Sequence, residues 1–325
     1  MLKKQYKVWG SAIALSLMVT AANAAVSPAE AAKLGKELTP MGAEMAGKGD
    51  IPAWTGGMTT MPAGFKKGDK LVNPFPDDKP KFVITAANYK QYEANLSPGQ
   101  IAMFQKYPET FRMPVYQSRR TSAYPQAIYD STKQNATNTK LLESGNGLEN
   151  FIEGAAFPIP KNGLEVIWNH IVRYRGGSVS RVVGQVTPQA NGEFSVVRFQ
   201  DEFTFRNKLK DFDPAQDSNV LFYFKQDVLS PARLAGNVLL VHETLDQVKE
   251  PRKAWVYNAG QRRVRRAPEV AYDGPGTAAD GLRTSDNFDM YNGAPDRYDW
   301  KLVGKREMYI PYNSYKLKDP SLKYD

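Results

Sequence analysis

The fold is decided by residues 179–206, which read VSRVVGQVTPQANGEFSVVRFQDEFTFR. Asn191-Gly192 is a strong signal for a tight turn, because Gly and Asn tolerate the positive φ angles that hairpin turns need. The flanking segments Val179–Thr187 and Glu193–Arg206 have the period of two that is typical of strands. The stretch therefore predicts a long antiparallel hairpin.

Further strands are predicted after this hairpin. They are Val220–Gln226, Gly236–Leu245, Lys253–Asn258, Arg262–Ala267 and Trp300–Tyr309. Lys253–Asn258 and Arg262–Ala267 are close enough to pair across a short turn, and no helix alternates with the strands. We therefore predict an α+β fold with a large curved antiparallel sheet, or incomplete β-barrel, and helices packed on its concave side.

The first half of the chain carries the helix signals. Thr85 is a candidate cap for a helix over Ala86–Leu96, and Ser97-Pro98 begins another that runs to about Lys106. A third is expected over Tyr124–Gln134. Residues 163–175 form the clearest amphipathic helix, because their apolar side chains recur at helical spacing. Smaller elements are also predicted: a short helix near Pro28–Leu38, a strand over Arg112–Gln117 and a helix over Phe288–Tyr291.

The chain begins with a pattern typical of a secretory signal peptide. Lys3, Lys4 and Lys7 precede a short apolar run, and Ala22-Asn23-Ala24 provides an A-x-A cleavage site. The apolar run is too short to span a bilayer, which takes ~20 residues. We expect cleavage near Ala24 and a periplasmic, not membrane-spanning, mature protein. The resulting division is a signal peptide at 1–24, an extended arm at 25–81 that is rich in Gly and Pro, and a single α+β domain at 82–325.

Composition excludes several classes of function. The chain has no Cys, which rules out disulfides, thiol nucleophiles, thiolate metal sites and a lipid-anchored amino terminus. Its net charge of +9 falls to +6 once the three leader lysines are removed. A mild basic excess in a periplasmic protein makes nucleic acid an unsuitable partner and leaves anionic lipid headgroups open.

No catalytic set is apparent, and we predict that the protein is not an enzyme. Only two histidines are present, and a triad base would have to be one of them. His170 lies beside the apolar face of a helix and His242 within a strand, which favours an ordinary structural use of both. Gly176-Gly177-Ser178-Val179-Ser180 lacks the final Gly of a nucleophile elbow and precedes a strand. Asp201-Glu202 point to opposite faces of a strand, which is poor geometry for shared acid–base chemistry.

No metal or cofactor is predicted either. Asp211, Asp213 and Asp217 resemble part of a calcium loop, but the turn Gly and the closing Glu are missing. Residues 274–279, GPGTAA, resemble a dinucleotide fingerprint but have no βαβ unit around them.

An aromatic row is predicted on the inner face of the sheet. It consists of Phe199, Phe203, Phe205, Phe222, Phe224, Trp255 and Tyr257, and Leu240 is predicted to line the same lipophilic cavity. The row is either a packed core between sheet and helices or the wall of a lipophilic cavity between sheet and lid helices. Both interpretations stay open from the sequence.

A basic cluster is predicted on one hairpin. It consists of Arg252, Lys253, Arg262, Arg263, Arg265 and Arg266. Such charge either protects an exposed strand from edge-to-edge aggregation or docks a lipid headgroup or an acidic partner.

Several motifs together resemble a proteobacterial periplasmic family of unknown function, often described as outer-membrane lipoprotein-sorting-like. They are Leu38–Glu44 (LTPMGAE), Ile51–Gly57 (IPAWTGG), Tyr107–Pro114 (YPETFRMP), Gly154–Pro158 (GAAFP), Trp255–Tyr257 (WVY), Gly260–Pro268 (GQRRVRRAP) and Met308–Tyr312 (MYIPY). The resemblance implies a fold like that of the Lol-type lipoprotein carriers, an incomplete barrel closed by helices around a cavity for acyl chains. Typical members continue past Asp325, so the resemblance also implies that the chain is a fragment.

The resemblance and the aromatic row favour a periplasmic carrier for lipid or another hydrophobic molecule. Family members are often encoded beside envelope exporters, which is an association and not a mechanism. The alternative is a non-catalytic adaptor that docks to an inner- or outer-membrane transport complex through its arm and its basic hairpin.

Overall fold

The computed structural model describes residues 26–66, 72–213, 218–319 and 321–322. The predicted signal peptide, the predicted start at Ala25 and Asp217 lie outside the described residues. None of the helices among these described residues combines the length and the hydrophobicity of a membrane span.

The first half of the chain contains the helices and four short strands. In chain order they are α1 (Pro28–Ala31), β1 (Phe82–Ile84), α2 (Pro98–Lys106), β2 (Met113–Val115), α3 (Gln126–Asn138), β3 (Lys140–Leu141), β4 (Leu148–Glu149) and α4 (Gly163–Ile171). β1 pairs with β2, and β3 pairs with β4. The predicted helix over Ala86–Leu96 is a 3-10 helix that begins only at Tyr89.

The second half forms one six-stranded antiparallel sheet. Its strands are β5 (Ser178–Pro188), β6 (Phe194–Phe205), β7 (Val220–Ser230), β8 (Val238–Thr244), β9 (Lys253–Asn258) and β10 (Arg263–Arg266). Each strand pairs with the next in sequence, and β5 and β10 are the two edges. The α+β class and the large antiparallel sheet are therefore confirmed, and the sheet is not closed into a barrel.

The predicted hairpin is present as β5 and β6, but its turn is longer than a two-residue loop. The Gln189 N–H donates to the Glu193 carbonyl at 2.7 Å, and Gly192 N–H donates to the Gln189 carbonyl at 3.0 Å. Gly192 has φ +87°, which is the left-handed conformation that closes a three-residue hairpin loop. Asn191 contributes through its side chain, which accepts from the Glu193 N–H at 3.0 Å.

Alternation along β6 separates the two faces of the sheet. Phe199, Asp201 and Phe205 are buried, whereas Arg198 and Glu202 are exposed. We call the side that carries the buried set the pocket face. Directly paired residues on neighbouring strands share a face, and the pocket face therefore continues from β6 across β7 and β8 to β9. The pairs on this face include Phe203 with Phe224, Phe224 with Val241, and Val241 with Ala254.

Of the four helices, α4 is the one whose buried residues join the core cluster of the central sheet. Trp168 and Ile171 of α4 pack with Phe205 and Phe222 of the pocket face. α4 begins where the Asn162 side chain accepts from the Glu165 N–H. The ring N–H of Trp168 donates to the Gly145 carbonyl at 2.9 Å inside the core. This packing places α4 at one end of the sheet.

The other helices pack away from the sheet. α1 and α3 share a small apolar cluster that includes Leu34 and Ala136. α2 packs with β1, β2 and the 3-10 helix around the buried Phe104. α2 itself is fixed by a capping box between Ser97 and Gln100 and by Pro98 at its first turn. The expectation that helices in general cover the concave side of the sheet is therefore wrong.

Two further predictions about the carboxyl-terminal third were wrong. Phe288–Tyr291 is not a helix, because Asp289 and Met290 have positive φ angles. Trp300–Tyr309 is extended but irregular. It is not a strand, because no described strand pairs with it. It is held instead on the first half of the chain, where the Arg306 guanidinium donates to the Ala94 carbonyl.

Trp168 provides a test of the α4 packing. Trp168→Phe should lower the free energy of unfolding by about 2–4 kcal/mol, because the Gly145 carbonyl loses a buried donor and the smaller ring leaves a void. Urea unfolding followed by circular dichroism measures this. Val166→Ala, at an exposed position of the same helix, should stay within about 0.5 kcal/mol of the wild type. Equal effects of the two variants would contradict the packing described.

Candidate functional site

A cavity of about 230 Å³ lies between the pocket face of the sheet and the segment that follows β10. We call residues 267–299 the cover segment; it contains turns and short 3-10 helix but no α-helix. Residues of the cover segment, of the stretch that follows α4 and of strands β5 to β8 all line this cavity. The predicted cavity beneath lid helices is therefore a cavity beneath a turn-rich cover.

The floor of the cavity is apolar and partly aromatic. It is lined by Ile171, Val179, Phe203, Phe222, Phe224, Leu239, Val241, Val270 and Phe288. Phe203 and Phe222 have ring centroids 4.8 Å apart, and Phe224 and Phe288 have theirs 5.8 Å apart. The rings thus form a continuous surface from β6 through β7 to the cover segment.

The walls are charged, with more cations than anions. Five arginines line the cavity, namely Arg173, Arg175, Arg181, Arg252 and Arg283. The lining acids are Asp201, Glu243 and Asp289. The lining therefore carries two more positive than negative charges.

The pair formed by Arg252 and Glu243 is the most deeply buried. Glu243 is 1% exposed, and the Arg252 side chain is 9% exposed. The Arg252 Nε donates to Glu243 Oε2 at 2.8 Å. The same guanidinium donates to Asn292 Oδ1 at 2.5 Å and to the Val270 carbonyl at 3.3 Å. One buried ion pair therefore joins β8 to the cover segment.

Asp201 is the second buried carboxylate on the pocket face. It is 2% exposed and lies 3.2 Å from the guanidinium of Arg181, the residue paired with it on β5. Gln226 on β7 donates to Asp201 Oδ1 at 2.9 Å. Hydrogen bonds to both carboxylate oxygens offset the cost of burying the charge.

Arg173 and Arg175 share a single carboxylate. Asp289 Oδ2 lies 2.6 Å from Arg173 Nη2 and 3.1 Å from Arg175 Nη2. The Arg175 guanidinium also lies over the rings of Phe203 and Phe222, at 5.1 and 5.7 Å from their centroids. Burial, and secondarily the positive charge of Arg173, lowers the pKa of Arg175 to about 10. Arg175 nevertheless stays charged at neutral pH.

The Arg283 guanidinium is held by uncharged acceptors and not by a carboxylate. It donates to Gln185 Oε1 at 3.2 Å and to the Thr284 carbonyl at 3.3 Å. It lies 5.1 Å from the Phe288 ring centroid, and burial lowers its pKa. A Cβ at Gly276 would come within 2.9 Å of the guanidinium carbon, so a side chain there would displace Arg283. No acid among the described residues forms an ion pair with Arg283.

The cover segment is built from side-chain-to-backbone hydrogen bonds. Asn292 Nδ2 donates to the carbonyls of Ser285 and Phe288 at 2.8 Å. Asp286 accepts from Tyr298 Oη at 3.0 Å and from Thr284 Oγ1 at 2.5 Å. Such side chains compete with helix formation, because they satisfy backbone groups in irregular conformations.

The predicted aromatic row divides among three places. Phe203, Phe222 and Phe224 line the cavity. Phe199 and Phe205 share the pocket face but are buried in apolar clusters outside the cavity lining.

The prediction that Leu240, Trp255 and Tyr257 lie on the cavity side of the sheet was wrong. Leu240 pairs with Trp255, one residue out of step with the Val241–Ala254 pair of the pocket face. All three side chains therefore lie on the opposite face, because consecutive residues of a strand point to opposite sides. There, His242 makes edge-on ring contacts with Trp255 and Tyr223.

The residues of the predicted basic cluster lie in two different environments. Arg252 is buried in the cavity wall, so its assignment to a surface patch was wrong. Arg262, Arg263, Arg265 and Arg266 are exposed at or beside β10, the edge strand of the sheet. Arg265 lies 3.5 Å from Glu269, and both side chains are largely exposed.

The two histidines and the serine considered for catalysis make contacts with neighbouring parts of the structure. His170 Nε2 is 2.9 Å from the Asp289 carbonyl, and burial and Arg173 lower the pKa of its imidazole. Burial and Lys253 lower the pKa of His242, which lies on the opposite face. Ser178 hydrogen-bonds to Thr204 across the β5–β6 pair at 2.7 Å. No group of three possible metal-ligating side chains occurs among the described residues.

Sequence reasoning missed Arg173, Arg175, Arg181, Arg283 and Asp289. One signal was available, because Asp201 interrupts a row of inward-facing apolar residues and a buried acid requires a cationic partner. Arg181 could have been found as its cross-strand neighbour in the hairpin register. Arg283 and Asp289 carried no such signal, because the cover segment has no periodicity.

The buried ion pair gives a stability test. Glu243→Leu should lower the free energy of unfolding by about 3–5 kcal/mol, because Arg252 would remain buried without its partner. The double variant Glu243→Leu/Arg252→Met should recover much of that loss, since both buried charges are then removed. Urea unfolding curves of the two variants measure the difference.

The exposed Arg265–Glu269 pair is the matched control. Glu269→Leu should change the free energy of unfolding by less than about 1 kcal/mol, because solvent screens exposed ion pairs. If Glu243→Leu/Arg252→Met is no more stable than Glu243→Leu alone, the unpaired charge of Arg252 is not the cause of the lost stability.

Comparison with known proteins gives the chain a family. The model of a family described as "Protein of unknown function (DUF1329)" matches residues 83–325. The Pseudomonas aeruginosa protein named "Uncharacterized protein PA3922" is 66% identical over 314 residues, which cover 96% of this chain and 69% of that protein. No solved structure matches the chain. The chain therefore belongs to the DUF1329 family of proteins of unknown function.

Proposed function

We propose that the protein is a carrier or binding protein for a lipid or another hydrophobic molecule. The observation that supports this most strongly is the cavity of about 230 Å³ beneath the cover segment, with its floor of rings and aliphatic side chains. Packed protein interiors contain few voids larger than a water molecule. A mostly apolar cavity with a few polar groups around it is the usual form of a small-molecule site.

The cavity size limits the ligand. Pockets that bury a drug-sized molecule hold ~300–1,000 Å³, so this cavity accommodates a short chain or part of a longer one. Each methylene transferred from water to such a surface contributes ~0.8 kcal/mol. A buried segment of about six methylenes would contribute ~5 kcal/mol before the cost of association.

The proposed setting is the periplasm. The basic residues, short apolar run and A-x-A site of residues 1–24 support export with cleavage near Ala24. In that compartment the carrier moves hydrophobic cargo between the membranes and exchanges it with an envelope exporter. The lipoprotein-sorting-like motifs are compatible with such a role.

Phe224 and its neighbour Tyr223 provide a matched test. Both rings are half-buried on β7, but Phe224 faces the cavity and Tyr223 the opposite side of the sheet. Phe224→Asn should weaken binding of a fluorescent fatty acid by about tenfold or more, because an amide replaces apolar contact surface. Tyr223→Asn should leave the affinity within about twofold. Fluorescence titration of proteins checked by circular dichroism measures both.

The wild-type protein decides the proposal even if a variant fails to fold. Protein purified from the periplasm of its native host should carry lipid that mass spectrometry detects after organic extraction. Absence of such lipid, together with no titratable uptake of the fluorescent fatty acid, would overturn the carrier function.

An adaptor that docks to an envelope transport complex is the second candidate. The observation that favours it is the exposure of Arg262, Arg263, Arg265 and Arg266 along the unpaired edge of the sheet. Charge on an edge strand also prevents edge-to-edge aggregation, and charge reversal separates that role from docking.

Charge reversal tests the adaptor. The double variant Arg263→Glu/Arg265→Glu should abolish capture of a specific membrane partner from solubilised envelopes and leave fatty-acid uptake unchanged. The control is Lys36→Glu, a charge reversal at an exposed position on the first half of the chain. Retention of the same partner by the double variant would exclude docking through β10.

A further inference from the structure

We propose that the ligand of this cavity is an anionic amphiphile, a single apolar chain ending in one carboxylate or phosphate monoester, and that Arg175 and Arg283 hold its charged end. This inference rests on the proposed carrier function and names the class of cargo. It follows from the distribution of charge around the cavity and from the contacts between those charges and the apolar floor.

The two excess positive charges of the cavity lining can be assigned to particular arginines. Arg252 is paired with Glu243 and Arg181 with Asp201, so these two arginines are neutralised within the protein. Arg173 and Arg175 share only Asp289. The two uncompensated charges therefore lie at the Arg173–Arg175 pair and at Arg283, which has no ion-pair partner among the described residues.

The uncompensated guanidiniums are partly removed from water. The Arg175 side chain is 20% exposed, and its buried Nε has no hydrogen-bond partner among the described residues. Burial lowers the pKa of both Arg175 and Arg283. A positive charge held out of water is costly to the protein unless an anion compensates it. An oxyanion in the cavity would offset this cost.

The guanidinium groups of Arg175 and Arg283 lie against aromatic rings of the apolar floor. Arg175 lies over Phe203 and Phe222, Arg283 lies over Phe288, and Phe288 contacts Phe224. Arginine stacked on rings keeps its planar set of donors, which matches carboxylate and phosphate oxygens. A ligand whose anionic group is joined directly to an apolar chain matches this arrangement.

Other ligand classes fit less well. A neutral lipid would leave both uncompensated charges without a partner, and a cationic amphiphile would add a third. A polyphosphate would bring more negative charge than the two available, and its binding normally uses a glycine-rich loop at a helix start. Residues 274–279 do not form such a loop, because they belong to the turns of the cover segment.

The experiment uses four ligands with one chain length: decanoate, decyl phosphate, decanol and decylamine. Displacement of a fluorescent fatty acid from the protein gives each affinity. Decanoate or decyl phosphate should bind at least about tenfold more tightly than decanol, and decylamine more weakly than decanol. The preference for the anion should shrink as salt rises from about 50 to about 500 mM, because screening weakens partly exposed charge interactions.

Arg175→Gln and Arg283→Gln test the assigned residues. Each should reduce the ratio of decanoate to decanol affinity by about tenfold, because one guanidinium is lost while the apolar floor remains. Arg265→Gln, which removes an exposed charge on β10, should leave the ratio within about twofold. Two separate variants guard against the failure of either one to fold, and decanol binding reports an intact cavity.

The outcomes separate this inference from the proposed function. Equal affinities of the wild type for decanoate, decyl phosphate and decanol would overturn the inference and leave the carrier function standing. An anion preference that survives in both glutamine variants would also overturn it. If none of the four ligands displaces the bound fluorescent fatty acid, the inference is overturned; if the fluorescent fatty acid itself is not taken up and the purified protein carries no lipid, the carrier function fails as well. The tighter of the two anions identifies the headgroup.

Discussion

The structure around the cavity depends on one constraint, which is that the buried carboxylates Glu243 and Asp201 must be paired. Both lie on the otherwise apolar face of the central sheet, at 1% and 2% exposure. An unpaired charge in that position would cost several kcal/mol, whereas a hydrogen-bonded pair roughly balances its desolvation. Arg252 is consequently drawn into the interior, where it also contacts Asn292 and Val270 of the cover segment. The ion pair therefore couples the sheet to the segment that covers it.

This pairing also explains why the interior is not close-packed. A sheet face composed only of Phe, Val and Leu would pack against an amphipathic helix, as Phe205 and Phe222 do against α4. Beyond α4 the face contains Asp201, Gln226 and Glu243, and a helix would offer these polar groups few partners. Asp201 and Gln226 are bonded within the sheet, and the turn-rich cover segment holds Arg252, the partner of Glu243, through the Asn292 side chain and the Val270 carbonyl. Because its own hydrogen bonds set its shape, as at Asn292, it does not fill the space over the Phe203–Phe224 pair.

Local sequence signals predicted most of the elements and few of the contacts between them. Ser97-Pro98 and the alternation of β6 act within one segment, so α2 and the β5–β6 hairpin could be predicted. The side of the sheet that a residue faces depends on the register between strands. That register shifts at Arg198/Phe199 and at Val220/Phe222, where the ladder is irregular. Alternation alone therefore could not place Leu240, Trp255 and Tyr257, and their apolar character assigned them to the wrong face.

Arginine accounts for much of the positive charge of this chain, but its physical role depends on its surroundings. Arg263 and Arg265 are exposed on an edge strand, where water and salt screen their charges within about 10 Å. Arg175 and Arg283 lie against rings in a partly desolvated cavity, where the same charge interacts more strongly with an oxyanion. With a pKa of about 10, Arg175 remains charged at neutral pH despite its burial. The basic hairpin was the conspicuous signal in the sequence, yet the arginines most suited to ligand recognition are those scattered between residues 173 and 283, which only the fold brings together.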